Sequence, residues 1–335
     1  MIADIVVGLQ HGDEAKGKVT HHLCKNNEYT HVLRFNGGGN AGHTIYHEGQ
    51  KFITHYIPAG VFYGIKSIIG SGCVLNPGHF LAEMKELSEA GIDTSLVRIA
   101  KNCQIITDEH LGEDRKDVKI GTTKRGTGPA YRDKYSRLGL RAVDVPELKE
   151  YIIDLYEEFH SLADTTVLCE GAQGFELDID WGDYPYVTSS HCTSASALLN
   201  GIPPDAVRHG WGVGKVYDTY VGKKKFQPDD EVFNMLREHG EEYGATTGRP
   251  RQCNWLNLDS LVKSARINGI THMVLNKIDV LDKVGTWILT HGSELKKFSC
   301  QDEMCNYIAD NMHALDLDLR LLAFSGNKHN ISMTP

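Results

Sequence analysis

Ile5-Val6-Val7-Gly8-Leu9-Gln10-His11-Gly12-Asp13-Glu14-Ala15-Lys16-Gly17-Lys18 is the stretch that decides the architecture. An apolar run of strand length passes directly into a Gly-x4-Gly-Lys frame, Gly12 to Lys18. Such a frame turns backbone N–H groups and a helix N-terminus towards phosphate oxygens, with a lysine for charge. The next residue is Val19, where a Walker A loop carries the Ser or Thr that holds Mg²⁺. A carboxylate must take over that work, and Asp13 and Glu14 stand inside the loop. On this segment alone, a glycine turn that merely starts a helix stays open.

Outward from it, strand-length apolar runs alternate with helical patterns. Ser67-Ile68-Ile69, Thr166-Val167-Leu168, His272-Met273-Val274-Leu275 and Leu321-Leu322-Ala323-Phe324 read as strands. Asn76 caps a predicted helix that opens with Pro77 and closes before Gly91. Leu148, Ile152, Leu155, Tyr156 and Phe159 follow the spacing of one buried helical face. Pro228-Asp229-Asp230 opens another helix that stops near Gly240. The alternation predicts an α/β fold, a large, mainly parallel central sheet flanked by helices. No linker, repeat or low-complexity tract divides residues 1–335, so a single domain is expected.

Composition narrows the function classes. No window reaches eighteen consecutive apolar residues, which argues against a membrane span, and Met1-Ile2-Ala3-Asp4-Ile5 opens as a strand instead of a signal peptide. The eight cysteines lack a Cys-x-x-Cys pair and are expected to be reduced, in a cytoplasmic setting. A formal net charge of −9 argues against nucleic acid as partner, since a polyanion needs a basic face. A small anion held by a few local cations is compatible with it.

The 34 glycines concentrate in clusters that also hold polar groups. Arg34-Phe35-Asn36-Gly37-Gly38-Gly39-Asn40-Ala41-Gly42-His43-Thr44 contains three consecutive glycines, costly to order and suited to close approach by a ligand. His43 is the side chain there able to exchange a proton near neutral pH. Gly121-Thr122-Thr123-Lys124-Arg125-Gly126-Thr127-Gly128-Pro129, followed by Arg137, interleaves hydroxyls, amides and cations as a second phosphate site does. Gly244 to Arg251 offers Arg249 and Arg251 for a dicarboxylate. Asn276-Lys277-Ile278-Asp279, after a strand, resembles the guanine-reading tetrapeptide of GTPases, where the carboxylate accepts from the base N1–H and 2-amino group.

Taken together, these segments resemble the adenylosuccinate synthetase family from residue 4 to about residue 328. The matches are His11–Lys18, Asn40–Thr44, Gly121-Thr122-Thr123 with Gly128-Pro129-Ala130-Tyr131, Glu170-Gly171-Ala172-Gln173-Gly174, Tyr184–Ser190 and Thr246–Arg251. The resemblance implies a ligase that uses a purine nucleoside triphosphate to join L-aspartate to a second purine nucleotide. It implies that Asp13 takes the purine N1 proton and holds Mg²⁺ together with the Gly42 carbonyl. His43 would stabilise charge on the 6-oxygen as it attacks the γ-phosphate, and Lys16 would neutralise the transferring group. Asn40, Thr123, Gln173 and Thr188 match substrate-nucleotide contacts, and Arg137 an arginine donated across a homodimer interface. Thr246, Thr247, Arg249 and Arg251 match the aspartate site. Gly12, Glu14, Ala15, Gly17, Lys18, Gly42 and Thr44 match the triphosphate site, with Lys277, Asp279, Ser325 and Gly326 at its base.

The departures from the family pattern are as informative. The chain is about a quarter shorter than the common bacterial form, Ala15 replaces a loop glycine, and Tyr220-Val221-Gly222-Lys223-Lys224-Lys225-Phe226 stands where Arg-Val-Gly-Ala-Gly-Pro-Phe is usual. Phe324-Ser325-Gly326-Asn327-Lys328 replaces a Ser-Thr-Gly-Pro stretch. Taken as changes in both nucleotide pockets, they resemble the phage succino-2-aminodeoxyadenylate synthetases. That branch implies dGMP as acceptor and ATP or dATP as donor, with 2-aminoadenine as the end; the alternative is IMP with GTP. A GTPase switch would explain the first loop and Asn276–Asp279, but not the clusters at Gly121–Arg137 and Thr246–Arg251. A nucleic-acid-binding module would use Lys223-Lys224-Lys225 against the overall negative charge.

Overall fold

Strand β1, Ile2–Gly8, is buried from its second residue onward, as its continuous apolar run requires of a strand covered on both faces. Its side chains alternate: Ile5 and Val7 join one hydrophobic cluster, Val6 another. Onto the Val6 face packs helix α1, Lys16–Asn26, through Val19, Leu23 and Cys24. In this computed structural model, residues 1–161, 164–244, 248–314, 317 and 319–326 are described.

β1 lies inside a nine-stranded sheet. On one side follow Val207–Lys215, His272–Asn276 and Leu321–Ser325; on the other, Thr166–Glu170, His31–Arg34, Lys66–Ile69, Val97–Ala100 and Ile152–Ile153. Every pairing in this sheet is parallel, so the expected α/β architecture is realised without an antiparallel member. A smaller four-stranded sheet, Tyr217–Tyr220, Gln252–Asn257, Trp287–His291 and Glu294–Phe298, stands beside it. Parallel strands bring all their C-terminal ends to one edge. The loops after β1, His31–Arg34, Thr166–Glu170 and His272–Asn276 therefore meet there, and they are the loops that hold the motifs.

Asn76 caps the Pro77–Glu89 helix as predicted, its Oδ1 accepting from His79 N at 3.0 Å. The helix expected through Leu148–Phe159 is instead divided. A 3-10 turn, Pro146–Tyr151, leads into the edge strand Ile152–Ile153, and a helix starts afresh at Leu155–His160. The Asp154 side chain accepts from the Tyr156 and Glu157 N–H groups, a cap that ends any continuous helix there. Tyr156 is consequently 67% exposed. All eight cysteines are free thiols, and no helix among the described residues is long and apolar enough to cross a membrane.

Candidate active site

Backbone conformation shapes the first loop. Gly12, Asp13 and Ala15 all take positive φ, at 85°, 60° and 70°. For Ala15 this left-handed conformation is strained, the consequence of an alanine at a glycine position. Glu14 ties the loop together. Its Oε1 accepts from Gly12 N at 2.8 Å and Gln10 N at 3.1 Å, and its Oε2 from Lys16 Nζ at 2.5 Å. Asn276 Nδ2 then donates to the Glu14 carbonyl at 2.8 Å, so the tetrapeptide's asparagine braces the phosphate loop. Glu14 is wholly buried and does not line the cleft. Both oxygens of its carboxylate are used inside the loop, which turns it away from the metal role the sequence left open.

That cleft, about 750 Å³, runs along the C-terminal edge of the sheet. Gly12, Asp13, Ala15, Lys16, Gly17 and Lys18 form one wall, with Asn40, Gly42, His43 and Thr44 beside them. Thr123, Gln173 and Thr188 face it, and Arg249, Arg251 and Lys277 line it as well. Thr246 and Thr247 lie outside the described residues. Asp279, Ser325 and Gly326 form a group beyond the rim, joined to it by Lys18, whose Nζ donates to Ser325 Oγ at 2.7 Å and to the Gly326 carbonyl at 2.8 Å. Burial pulls the Lys18 ammonium down to about 8, with Asp279 opposing. Arg137 is not in the cleft of its own chain; it is an exposed left-handed cap of the Thr127–Ser136 helix.

His43 has a partner the motifs did not disclose. Its Nδ1–H donates to Glu170 Oε1 at 2.6 Å, and the same oxygen accepts from Arg34 Nη1 at 2.7 Å. Glu170 Oε2 accepts from Ala59 N at 2.9 Å, and Glu170 is wholly buried. Burial, then the Arg34 charge, holds His43 down to about 4 against the pull of Glu170. Burial by itself would raise Glu170, but His43, Arg34 and the Ala59 amide bring it down to about 2. The pair is thus a neutral imidazole on an ionised carboxylate, and Arg34 Nη1 lies 3.2 Å from His43 Nε2 as well. Gly17 allows the approach of His43 to α1: a Cβ there would stand 2.7 Å from His43 Cβ.

Asp13 Oδ2 lies 2.9 Å from Arg251 Nε, an ion pair, and Arg251 Nη1 donates to buried Glu242 at 2.5 Å. Arg249 donates through both Nη atoms to the Gly121 carbonyl at 3.1 Å, joining the aspartate-like cluster to the second phosphate-like cluster. Gln173 Nε2 donates to Asn40 Oδ1 at 3.0 Å, while its Oε1 is buried without a hydrogen-bond partner among the described residues. Among the described residues no three His, Cys, Asp or Glu side chains converge as a metal cage. Asp13 and the Gly42 carbonyl are hard oxygen donors on the cleft wall, a sparse set that suits Mg²⁺ shared with phosphates.

The divergent Tyr220–Phe226 segment reaches the cleft only through Tyr220 and Val221. Lys223 donates to the Val118 carbonyl, Lys224 pairs with Asp183, and Lys225 pairs with Asp229 at 3.1 Å. Lys223, Lys224 and Lys225 themselves do not line the cleft.

The adenylosuccinate synthetase family pattern matches residues 5–151 and 145–319. The adenylosuccinate synthetase of Geobacillus kaustophilus is 39% identical over 341 residues, covering 85% of this chain and 79% of that one. The Staphylococcus aureus enzyme of the same name is 38% identical over the same span. Among solved structures, fully ligated adenylosuccinate synthetase from Plasmodium falciparum superposes with a TM-score of 0.78 at 31% identity, covering 90% of this chain and 85% of that chain. The cyanophage S-2L succinoaminodeoxyadenylate synthetase bound to dGMP and dATP gives 0.72 at 21% identity, covering 92% and 99%, a likeness of fold. With the phosphate loop, the histidine and the arginine pair gathered on one cleft, the chain belongs to the adenylosuccinate synthetase family and is a carbon–nitrogen ligase.

Proposed function

We propose that the chain joins L-aspartate to IMP with GTP as phosphoryl donor, forming adenylosuccinate. The observation that carries this is the meeting of Asp13, Lys16 and His43 with Arg249 and Arg251 in one cleft, in a chain 38–39% identical to enzymes of that name. Asp13 removes the N1 proton of the purine. The 6-oxygen then attacks the γ-phosphate, with Lys16 offsetting charge on the transferring group and His43 beside the oxygen, anchored through Nδ1. The aspartate amine attacks C6 and the 6-phosphoryl group leaves as phosphate. Arg249 and Arg251, with Thr246 and Thr247, hold the aspartate carboxylates; Asn40, Thr123, Gln173 and Thr188 hold the nucleotide. Mg²⁺, held by Asp13 and the Gly42 carbonyl, would supply charge neutralisation at the phosphates.

The donor assignment rests on Asp279, whose Oδ1 is buried with no hydrogen-bond partner among the described residues. A carboxylate acceptor suits guanine, which offers N1–H and a 2-amino group, and adenine offers neither on that edge. For the acceptor, the dGMP reading drew on Tyr220–Phe226, most of which faces away from the cleft. Arg137 is proposed to complete a partner's substrate site in a homodimer, since exposed Tyr135, Leu138, Leu140 and Val143 surround it in sequence. We read the chain as one domain acting in the cytoplasm.

A paired assay of IMP and dGMP with aspartate, each with GTP and with ATP, tests this. IMP with GTP should give the highest kcat/KM. A buried polar mismatch typically costs about 1–3 kcal/mol, roughly ten- to a hundredfold. A higher kcat/KM for dGMP with either triphosphate would restore the phage-type assignment.

A further inference from the structure

Glu242 lies in none of the family matches quoted above, yet it joins two of the cleft's walls. It follows the Val232–Gly240 helix and is wholly buried. Its Oε1 accepts from the Tyr217 hydroxyl at 2.6 Å and Lys215 Nζ at 3.3 Å, and faces Lys277 Nζ at 3.7 Å. Its Oε2 accepts from Arg251 Nη1 at 2.5 Å. The main chain holds it from both sides: Arg251 N donates to the Glu242 carbonyl, and Glu242 N to the Arg237 carbonyl, each at 2.9 Å. Gly240 makes room, since a Cβ there would stand 2.4 Å from the Tyr217 hydroxyl.

Three cations thus share this carboxylate, and one of them, Arg251, also pairs with Asp13 at 2.9 Å. Glu242 is wholly buried, so its charge must be compensated by the cations around it. Whatever alters the compensation of Lys277 is therefore passed to Arg251 through the carboxylate they have in common. We propose that Glu242 is a positioning residue that couples the donor-base end of the cleft, at Lys277, to the reacting end, at Arg251 and Asp13. The proposal rests on the functional reading above, which places the donor base at Asp279, next but one to Lys277 in the chain. Binding of the two nucleotides is then linked, and linkage acts equally in both directions. Lys215 and Tyr217 anchor the hub from within the core, so Glu242 stays in place while its two cleft-facing cations respond.

The test is calorimetric. The Kd of guanosine 5′-(β,γ-imido)triphosphate is measured on the full chain with Mg²⁺, without and with saturating IMP. In the unaltered enzyme IMP should tighten or weaken donor binding by at least about fivefold, the lower range of measured couplings. In Glu242→Gln, which keeps shape and one acceptor oxygen but no charge, the ratio should fall to near one. Lys277→Gln, on the cleft wall, cuts the same link from its other end and serves if Glu242→Gln does not fold. Tyr217→Phe removes a hydroxyl but no charge and should keep the coupling, which separates charge sharing from general loosening. An unchanged ratio in either soluble charge variant, or no coupling in the unaltered enzyme, overturns the proposal. If the unaltered enzyme instead forms no succino-nucleotide from IMP or dGMP, the functional reading fails first and the proposal with it.

Discussion

At the scale of single residues, Asp13 carries the heaviest expectation. Asp13→Asn should abolish turnover while leaving nucleotide Kd values within a few-fold, because an amide cannot take the N1 proton. Loss of a general base costs on the order of 10²–10⁴ in rate, so a variant with near-normal kcat removes Asp13 from that role. Glu170 acts through His43. Glu170→Gln retains an acceptor oxygen for Nδ1–H but loses the charge that would favour a proton-rich imidazole during reaction. Its kcat should fall on the order of 10² with nucleotide KM values little changed. A rise in KM with constant kcat would instead make Glu170 a structural brace for the binding wall. Ala15 offers the reverse case, a gain. Its φ of 70° is costly for a side chain, so Ala15→Gly should stabilise by up to about 1 kcal/mol, read as a higher Tm.

At the scale of elements, the contact between α1 and the loop that carries His43 decides whether the two halves of the site meet. Gly17 is on the first turn of α1, and a Cβ there would overlap His43 Cβ. Gly17→Ala should therefore cost about 1–3 kcal/mol by overpacking and lower kcat more than Glu170→Gln does, because His43 moves bodily. A chemical denaturation curve and a kcat measurement on the same preparation check both parts. If Gly17→Ala were as stable and active as the unaltered chain, α1 and the His43 loop would not pack as described. Helix and strand boundaries elsewhere show the same competition of local signals. The apolar spacing of Leu148 to Phe159 satisfies a helix, but Asp154 caps a new one and Ile152–Ile153 finds a sheet edge at Ile99–Ala100.

For the molecule as a whole, two buried carboxylates are expected to contribute to acid sensitivity. Glu170 and Glu242 are each held down to about 2 from 4.5, Glu170 by His43 and Arg34 and Glu242 by Lys215, Lys277 and Arg251, in both cases against their burial. A depressed folded pKa contributes stability that is complete above the unfolded value and lost as pH falls towards the folded one. Tm should thus decline steeply between about pH 4.5 and 2, and less steeply in Glu170→Gln; equal slopes would show that Glu170 is not an ionised native carboxylate. The proposed dimer has its own test. Arg137→Leu and Asp13→Asn, each inactive or weak alone, should regain activity on mixing, since one composite site then has both residues intact. Silent mixtures that nevertheless contain heterodimers would argue against a shared site.

The sequence by itself determined the α/β class, the position of the phosphate loop after the first strand, and the family, because these are local matters. A buried parallel strand is a continuous apolar run, and a phosphate loop is a spacing of glycines and lysine; neither needs knowledge of distant residues. Asn76 and its helix were legible for the same reason. The tertiary structure alone decided what each charged side chain faces. Glu14 looked like a ligand because it stands in the loop, but the fold turns it inward onto Lys16 and two amides. The Tyr220–Phe226 segment looked like a change in a nucleotide pocket, but the side chains of Lys223, Lys224 and Lys225 bond to Val118, Asp183 and Asp229, which do not line the cleft. Glu170 and Glu242 passed without a role, because their partners His43, Arg34, Lys215 and Lys277 are remote in the chain. An isolated acidic residue in a sequence reads as exposed; only the parallel sheet, by carrying its loops to one edge, brings the cations that allow it to be buried.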